Sequence, residues 1–148
     1  MAKMTTLDGI AGLNRALRSL PKEAKAELTA ASQAIVEDVA QDARSRAEAI
    51  GRGFVLLGPT IRAERSSKPS IKIGGSKRIK GRKGGRQTVG DLLWGTEFGG
   101  RQRATTMQFL PHLGTEGYAL WPAVRAHSDE TGRRYSEALL RALDRMAP

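Results

Sequence analysis

The sequence predicts one α+β domain, with helices at both ends and an antiparallel sheet of about four strands between them. Apolar residues repeat at the helical period near both ends of the chain and alternate with polar residues in the middle. Helical and strand patterns are segregated, which favours α+β over a parallel α/β fold. The chain has 148 residues, a length typical of one domain, so we expect residues 1–148 to share one core.

Two helices are predicted at the N-terminal end. Thr6 can cap the first, whose apolar side chains are spaced three or four residues apart and end at Leu20. Pro21 suits the first turn of a second helix, and Gly51 is a natural stop. The second helix, Pro21 to Ile50, would be about 45 Å long. Its apolar stripe, spaced three or four apart throughout, is Leu28, Ala31, Ile35, Val39, Ala43, Ala47 and Ile50.

The middle of the chain is predicted to form a sheet. Apolar residues alternate with polar ones over residues 61–64 and 70–73, and the turn-rich segment 66–69 joins these runs, which predicts a hairpin. We expect a third strand over 92–98 and a fourth over 107–110, each ended by glycine or proline.

A C-terminal helix is predicted to begin at Ser128. Asp129 and Glu130 in its first turn complement the helix dipole, and Tyr135, Leu139, Ala142 and Met146 form an apolar stripe.

The net charge of +10 is concentrated in the middle of the chain: residues 61–103 contain 12 basic and 3 acidic side chains. Residues 74–86 contain six cations, five glycines and no acid, so we expect a flexible basic loop over about 74–90. Such cations can contact phosphates or an acidic protein surface. The candidate contact residues are Lys77, Arg78, Lys80, Arg82, Lys83 and Arg86.

Several function classes find no support in the sequence. No apolar run approaches the length of a membrane span, no secretory signal is readable, and there are no cysteines, so we expect synthesis inside the cell and no membrane association. No phosphate-binding loop or serine nucleophile motif occurs. His112 and His127 are the only imidazoles and lack metal-ligand spacing. An enzyme is the third hypothesis, and a pocket that brings either histidine next to an acid would favour it. We expect neither an enzyme nor a cofactor.

Two short strings resemble those of a viral protein family. Glu97-Phe98-Gly99, inside the segment 94–99, is similar to a Glu-Phe-Gly-Thr string, with Gly100 where threonine is usual. Residues 118–123, Tyr-Ala-Leu-Trp-Pro-Ala, resemble an aromatic string that precedes the last helix, and Phe109-Leu110-Pro111 is a second candidate for it. With the order helix, helix, sheet, helix, these strings resemble the neck or tail-completion (head-tail joining) proteins of long-tailed bacteriophages, which are related to tail-terminator proteins.

The resemblance implies a structural virion protein that forms a multi-copy ring and joins the head connector to the tail. Its partners would be copies of itself, head connector and tail tube proteins, with possible nonspecific contact with packaged DNA. It would reside in the virion neck or tail, and in the host cytoplasm during assembly. Trp94, Phe98, Trp121 and Leu140 are interface candidates, although the tryptophans could equally be ordinary core.

The alternative from another class is a small nonspecific nucleic-acid-binding protein that uses residues 77–86. The basic loop has no aromatic side chain on which a base could stack, so base reading is not expected. Under the structural interpretation, we expect most of residues 77–86 to contact neighbouring proteins or to hold a stationary DNA end.

Overall fold

A computed structural model describes residues 12, 15, 17–79, 87–100 and 109–145. These residues form a mixed structure of helices and one antiparallel hairpin, so the predicted α+β class is confirmed. None of the helices in this part of the chain has the length and apolar character needed to cross a bilayer.

The long helix α1 spans Lys22–Ile50 and confirms the second predicted helix. Its buried side chains follow the predicted stripe, and the N–H of Gly51, at φ 65°, donates to the carbonyl of Ala47 to end it. Most of the first predicted helix, including Thr6, lies outside the described residues. The described residues of that segment, Gly12, Arg15 and 17–19, are helical.

The predicted hairpin is present. A short helix α2 (Phe54–Leu57) and a 3-10 turn (Gly58–Thr60) lead into β1 (Arg62–Glu64), which pairs antiparallel with β2 (Ser70–Lys72). The Arg44 guanidinium of α1 donates to the carbonyl of Ile61, which fixes the start of β1 to the long helix.

The predicted third strand is wrong: residues 92–98 are helical. A 3-10 turn (Gly90–Leu92) continues directly into helix α3 (Leu93–Phe98). Burial of Val89, Leu92 and Thr96 follows the helical spacing of three and four, not the alternation of a strand.

The predicted fourth strand is not found either. Met107 and Gln108 lie outside the described residues, and Phe109 and Leu110 are irregular. Pro111 makes only an isolated bridge to Gly100. The sheet of the described residues therefore has two strands instead of four.

The basic loop is only partly described, because residues 80–86 lie outside the described part of the chain. The prediction that the loop is flexible falls on these residues and stays a prediction. Its described flanks are held together: the N–H of Val89 donates to the carbonyl of Lys77 (2.9 Å), and that of Ile79 to the carbonyl of Gln87 (3.1 Å).

Two helices complete the structure, α4 (Leu120–Ala126) and α5 (Ser128–Asp144). The predicted start of the last helix at Ser128 is confirmed, and Met146 lies outside the described residues. Both helices pack on α1. One apolar cluster joins α1 to α2, the hairpin and α4, and a second joins the start of α1 to α5. Tyr135 of α5 packs against both clusters.

Candidate functional site

Three of the four predicted interface residues form one aromatic patch, consisting of Trp94, Phe98 and Trp121. The rings of Trp94 and Phe98 stack with centroids 5.8 Å apart, and the ring of Trp121 meets Phe98 edge-on at 6.3 Å. Trp94 is 70% exposed and Trp121 is 44% exposed. The fourth candidate, Leu140, is 60% exposed and lies on another element, α5.

Helical spacing places the patch on the surface. Trp94 and Phe98 are four residues apart on α3 and therefore share one face, while Thr96 and Glu97 point into the protein and are buried. A shallow, largely apolar depression of about 440 Å³ lies beside the two rings, with His112 on its border. The tryptophans are therefore not ordinary core residues.

Glu97 holds the two halves of the patch together. Its side chain is 2% exposed, yet its carboxylate accepts hydrogen bonds from the backbone N–H groups of Leu120 (3.0 Å) and Trp121 (2.8 Å) and a longer one from Ala119. These N–H groups begin α4 and would otherwise have no partner in the helix. A carboxylate also complements the positive end of the helix dipole. Glu97 is thus the N-terminal cap of α4, supplied by α3.

The Glu97-Phe98-Gly99 string has a structural explanation. Gly99 adopts φ 77°, and a Cβ there would lie 2.1 Å from the carbonyl oxygen of Pro111. Backbone hydrogen bonds from Leu113 to Phe98 (3.0 Å) and from Gly100 to Leu110 (2.9 Å) hold the following segment against the end of α3. The string therefore builds the support beneath the patch.

The second string, residues 118–123, places Trp121 at the surface. Ala119 and Ala123 are fully buried against the core, and Tyr118 donates its hydroxyl to the carbonyl of Pro111 (2.6 Å). The tryptophan between the two alanines faces outward and reaches Phe98.

A capping pair at the start of the 3-10 turn that leads into α3 was missed by the sequence interpretation. The Asp91 carboxylate accepts from the N–H of Thr88 (2.7 Å), and the Thr88 hydroxyl accepts a longer bond from the N–H of Asp91. These hydrogen bonds lower the pKa of Asp91 below its ordinary value. A threonine followed three residues later by an acid is a recognised helix-start signal, which could have predicted the helix at 92–98.

The basic candidate residues are only partly placed. Lys77 and Arg78 are exposed, and Lys80, Arg82, Lys83 and Arg86 lie outside the described residues. Lys77 lines a groove together with Arg62 and Lys72 of the hairpin. Sequence interpretation did not single out these last two, although their alternation with apolar strand residues indicates outward-facing side chains.

The two histidines lie apart from each other. His112 Nδ1 is 3.0 Å from the carbonyl oxygen of Phe98, and His127 Nε2 is 3.3 Å from Asp42 at the contact of α1 with the start of α5. Asp42 also pairs with Arg46 one turn further along α1 (3.0 Å), so this acid has a structural partner besides the histidine. Across the described residues, no three histidine or acidic side chains are grouped so that they could hold a metal ion.

No family model, curated protein or solved structure matches this chain. Inferences about function therefore depend on the sequence and the geometry.

Proposed function

We propose that this protein is a structural subunit of the head-tail joint of a long-tailed bacteriophage, a neck, tail-completion or tail-terminator protein. It would assemble as a multi-copy ring and join the head connector to the tail. The observation that carries the proposal is the aromatic patch, in which the exposed rings of Trp94 and Trp121 meet the half-buried Phe98 on a hydrogen-bonded support. Virion location and the identity of the partners follow from the family resemblance.

Exposing the aromatic rings of the patch to water is unfavourable in free energy, and a partner that covers them would remove this cost. Aromatic side chains bury about 150–250 Å² each and dominate interface energetics, and tryptophan is enriched among residues that carry binding energy. In this protein the Glu97 cap and the backbone hydrogen bonds around Gly99 fix the backbone that carries the rings before binding. Little conformational entropy is then lost when a partner docks.

A ring also requires two different surfaces on each subunit, because head-to-tail contacts join unlike patches. The aromatic patch on α3 and α4 supplies one candidate. Leu140 and Leu143, both exposed on α5, supply a second. Two separate apolar surfaces favour the assembly role over the alternative of a small nucleic-acid-binding protein, because contacts to phosphates are made by cations and not by apolar surfaces.

The proposal is tested by the oligomeric state of the Trp94→Gln variant. Sedimentation velocity over a range of concentrations should show the unsubstituted chain forming a discrete multimer, and the variant should need at least about tenfold more protein to assemble. Trp94→Phe is the matched control, because it keeps a ring to stack on Phe98 and should assemble nearly normally. The same substitutions can be introduced into a phage that carries this gene. Trp94→Gln should then give unjoined heads and tails, whereas Trp94→Phe should give joined particles.

Two results would overturn the assembly role. One is a chain that stays monomeric at every concentration and binds no head or tail component. The other is a Trp94→Gln variant that assembles as well as Trp94→Phe, which would show that the patch is not the contact.

A further inference from the structure

We infer that the groove beside the β-hairpin is a binding site for the phosphate backbone of duplex DNA. This hairpin groove has a volume of about 510 Å³ and is lined by residues 59, 60, 62 and 72–77, among which Arg62, Lys72 and Lys77 are the cations. The inference is independent of the aromatic patch and concerns different residues.

The charges in the hairpin groove lack sufficient partners within the protein. Arg62 lies directly opposite Lys72 in the strand register, and like charges at such positions destabilise a sheet. Lys72 is offset by Glu64, whose carboxylate lies 2.5 Å from its amine. Among the described residues, no carboxylate lies within 4.0 Å of the charged group of Arg62 or Lys77. A bound anion would relieve this repulsion.

The walls of the groove are already fixed. The Thr60 hydroxyl accepts from the N–H of Gly74 (2.7 Å), and Gly74 packs so closely on Gly90 that a Cβ would lie 2.5 Å from the Cα of Gly90. Arg44 ties the start of β1 to the long helix. Binding at a prepared site costs little ordering entropy.

The composition of the groove favours duplex DNA over single strands and over an acidic protein. Single-stranded nucleic acids are usually held by aromatic stacking, and no aromatic side chain lines the groove. Protein interfaces have an apolar core, but the exposed large apolar side chains of the described residues all lie elsewhere. Apart from Pro59 and the half-buried Ile73, the groove presents cations, backbone and the Ser76 hydroxyl. Such a composition is typical of contacts to a phosphate backbone.

The test compares two variants of the full chain with equal net charge. Arg62→Gln/Lys77→Gln removes the two groove cations that lack acidic partners. The control, Arg18→Gln/Lys22→Gln, removes two exposed cations that do not line the groove. Both lower the net charge of +10 by two and leave residues 80–86 unchanged. Binding of a fluorescent duplex of arbitrary sequence, about 20 base pairs long, is followed by anisotropy over a series of salt concentrations.

The groove variant should reduce the slope of log affinity against log salt by about 2 and bind roughly 60-fold more weakly near 0.1 M salt. The control variant should stay close to the unsubstituted chain. Arg62→Lys/Lys77→Arg should restore binding, since a phosphate contact needs only the charge. Thermal melts should agree within a few degrees for all variants, because the substituted side chains are exposed.

Three outcomes would overturn the inference. One is no duplex binding by the unsubstituted chain at low salt. Another is equal weakening in the groove and control variants, which would show a delocalised charge effect. The third is competition by polyglutamate as effective as that by duplex of equal charge, which would identify an acidic protein surface as the ligand.

Discussion

Glu97 shows how one side chain can join two elements that are distant in sequence. Its buried carboxylate serves the N–H groups of Ala119, Leu120 and Trp121, so the position of α4 relative to α3 depends on it. The sequence places this glutamate in a suggestive string but does not reveal its partners, because a cap supplied from another element leaves no local pattern.

Glu97→Ala should lower the free energy of unfolding by about 2–4 kcal/mol, because it leaves buried N–H groups without an acceptor. Glu97→Gln should cost less, since its amide oxygen can still accept. Chemical denaturation measures both effects. Glu48→Gln, an exposed position, is the control and should change stability by less than about 0.5 kcal/mol. A Glu97→Ala variant as stable as the control would show that the cap is not structural.

Gly99 is a second residue whose role depends on context. The string that contains it was recognisable, but the reason for the glycine is the approach of Pro111 from a later segment. Sequence patterns report spacing along the chain, whereas this contact joins residues of different segments.

At the level of elements, length and periodicity decided which predictions succeeded. The long helix α1 repeats its apolar stripe over many turns, and the hairpin alternates on both sides of a turn, so both were predictable. The helix α3 has six residues, too few for periodicity to separate helix from strand. The capping pair of Thr88 and Asp91 was the signal that could have identified residues 92–98 as helix and not strand.

The Asp91 cap should make the 3-10 turn before α3 sensitive to acid. Hydrogen bonds from Thr88 lower the pKa of Asp91 in the folded protein. A group with a lowered folded pKa contributes stability above its unfolded pKa and loses that contribution as pH falls through the folded pKa. Asp91→Asn should therefore lower the melting temperature near pH 7, and the difference from the unsubstituted chain should shrink as pH falls through the folded pKa of Asp91.

Melting curves of the unsubstituted chain and Asp91→Asn over this pH range, with a carboxyl NMR titration, measure the effect. Glu48→Gln, an exposed carboxylate away from any helix N-terminus, is the control. An Asp91 that titrates at or above its ordinary value of about 3.9 would contradict the cap.

At the scale of the whole molecule, alanines set how closely the helices approach. Ala43 of α1, Ala123 of α4 and Ala138 and Ala142 of α5 are fully buried, so α4 and α5 can lie close to the long helix. The sequence predicts the alanine-rich face of α1 but does not predict which helices pack against that face. The same limit applies to the aromatic patch, whose members were named in advance but whose clustering required the fold.

The two proposed surfaces should respond differently to salt. Association through the aromatic patch is apolar, and subunits of net charge +10 repel one another, so added salt should leave assembly unchanged or strengthen it by screening. Binding of duplex DNA in the hairpin groove releases counterions. Its affinity should fall at least about 60-fold when salt rises tenfold, if only two phosphates are contacted.

Sedimentation and anisotropy on one preparation, from about 0.05 to 0.5 M salt, measure the assembly and the DNA affinity. Assembly that weakens in parallel with DNA binding would mean that the cations, and not the aromatic rings, hold the subunits together.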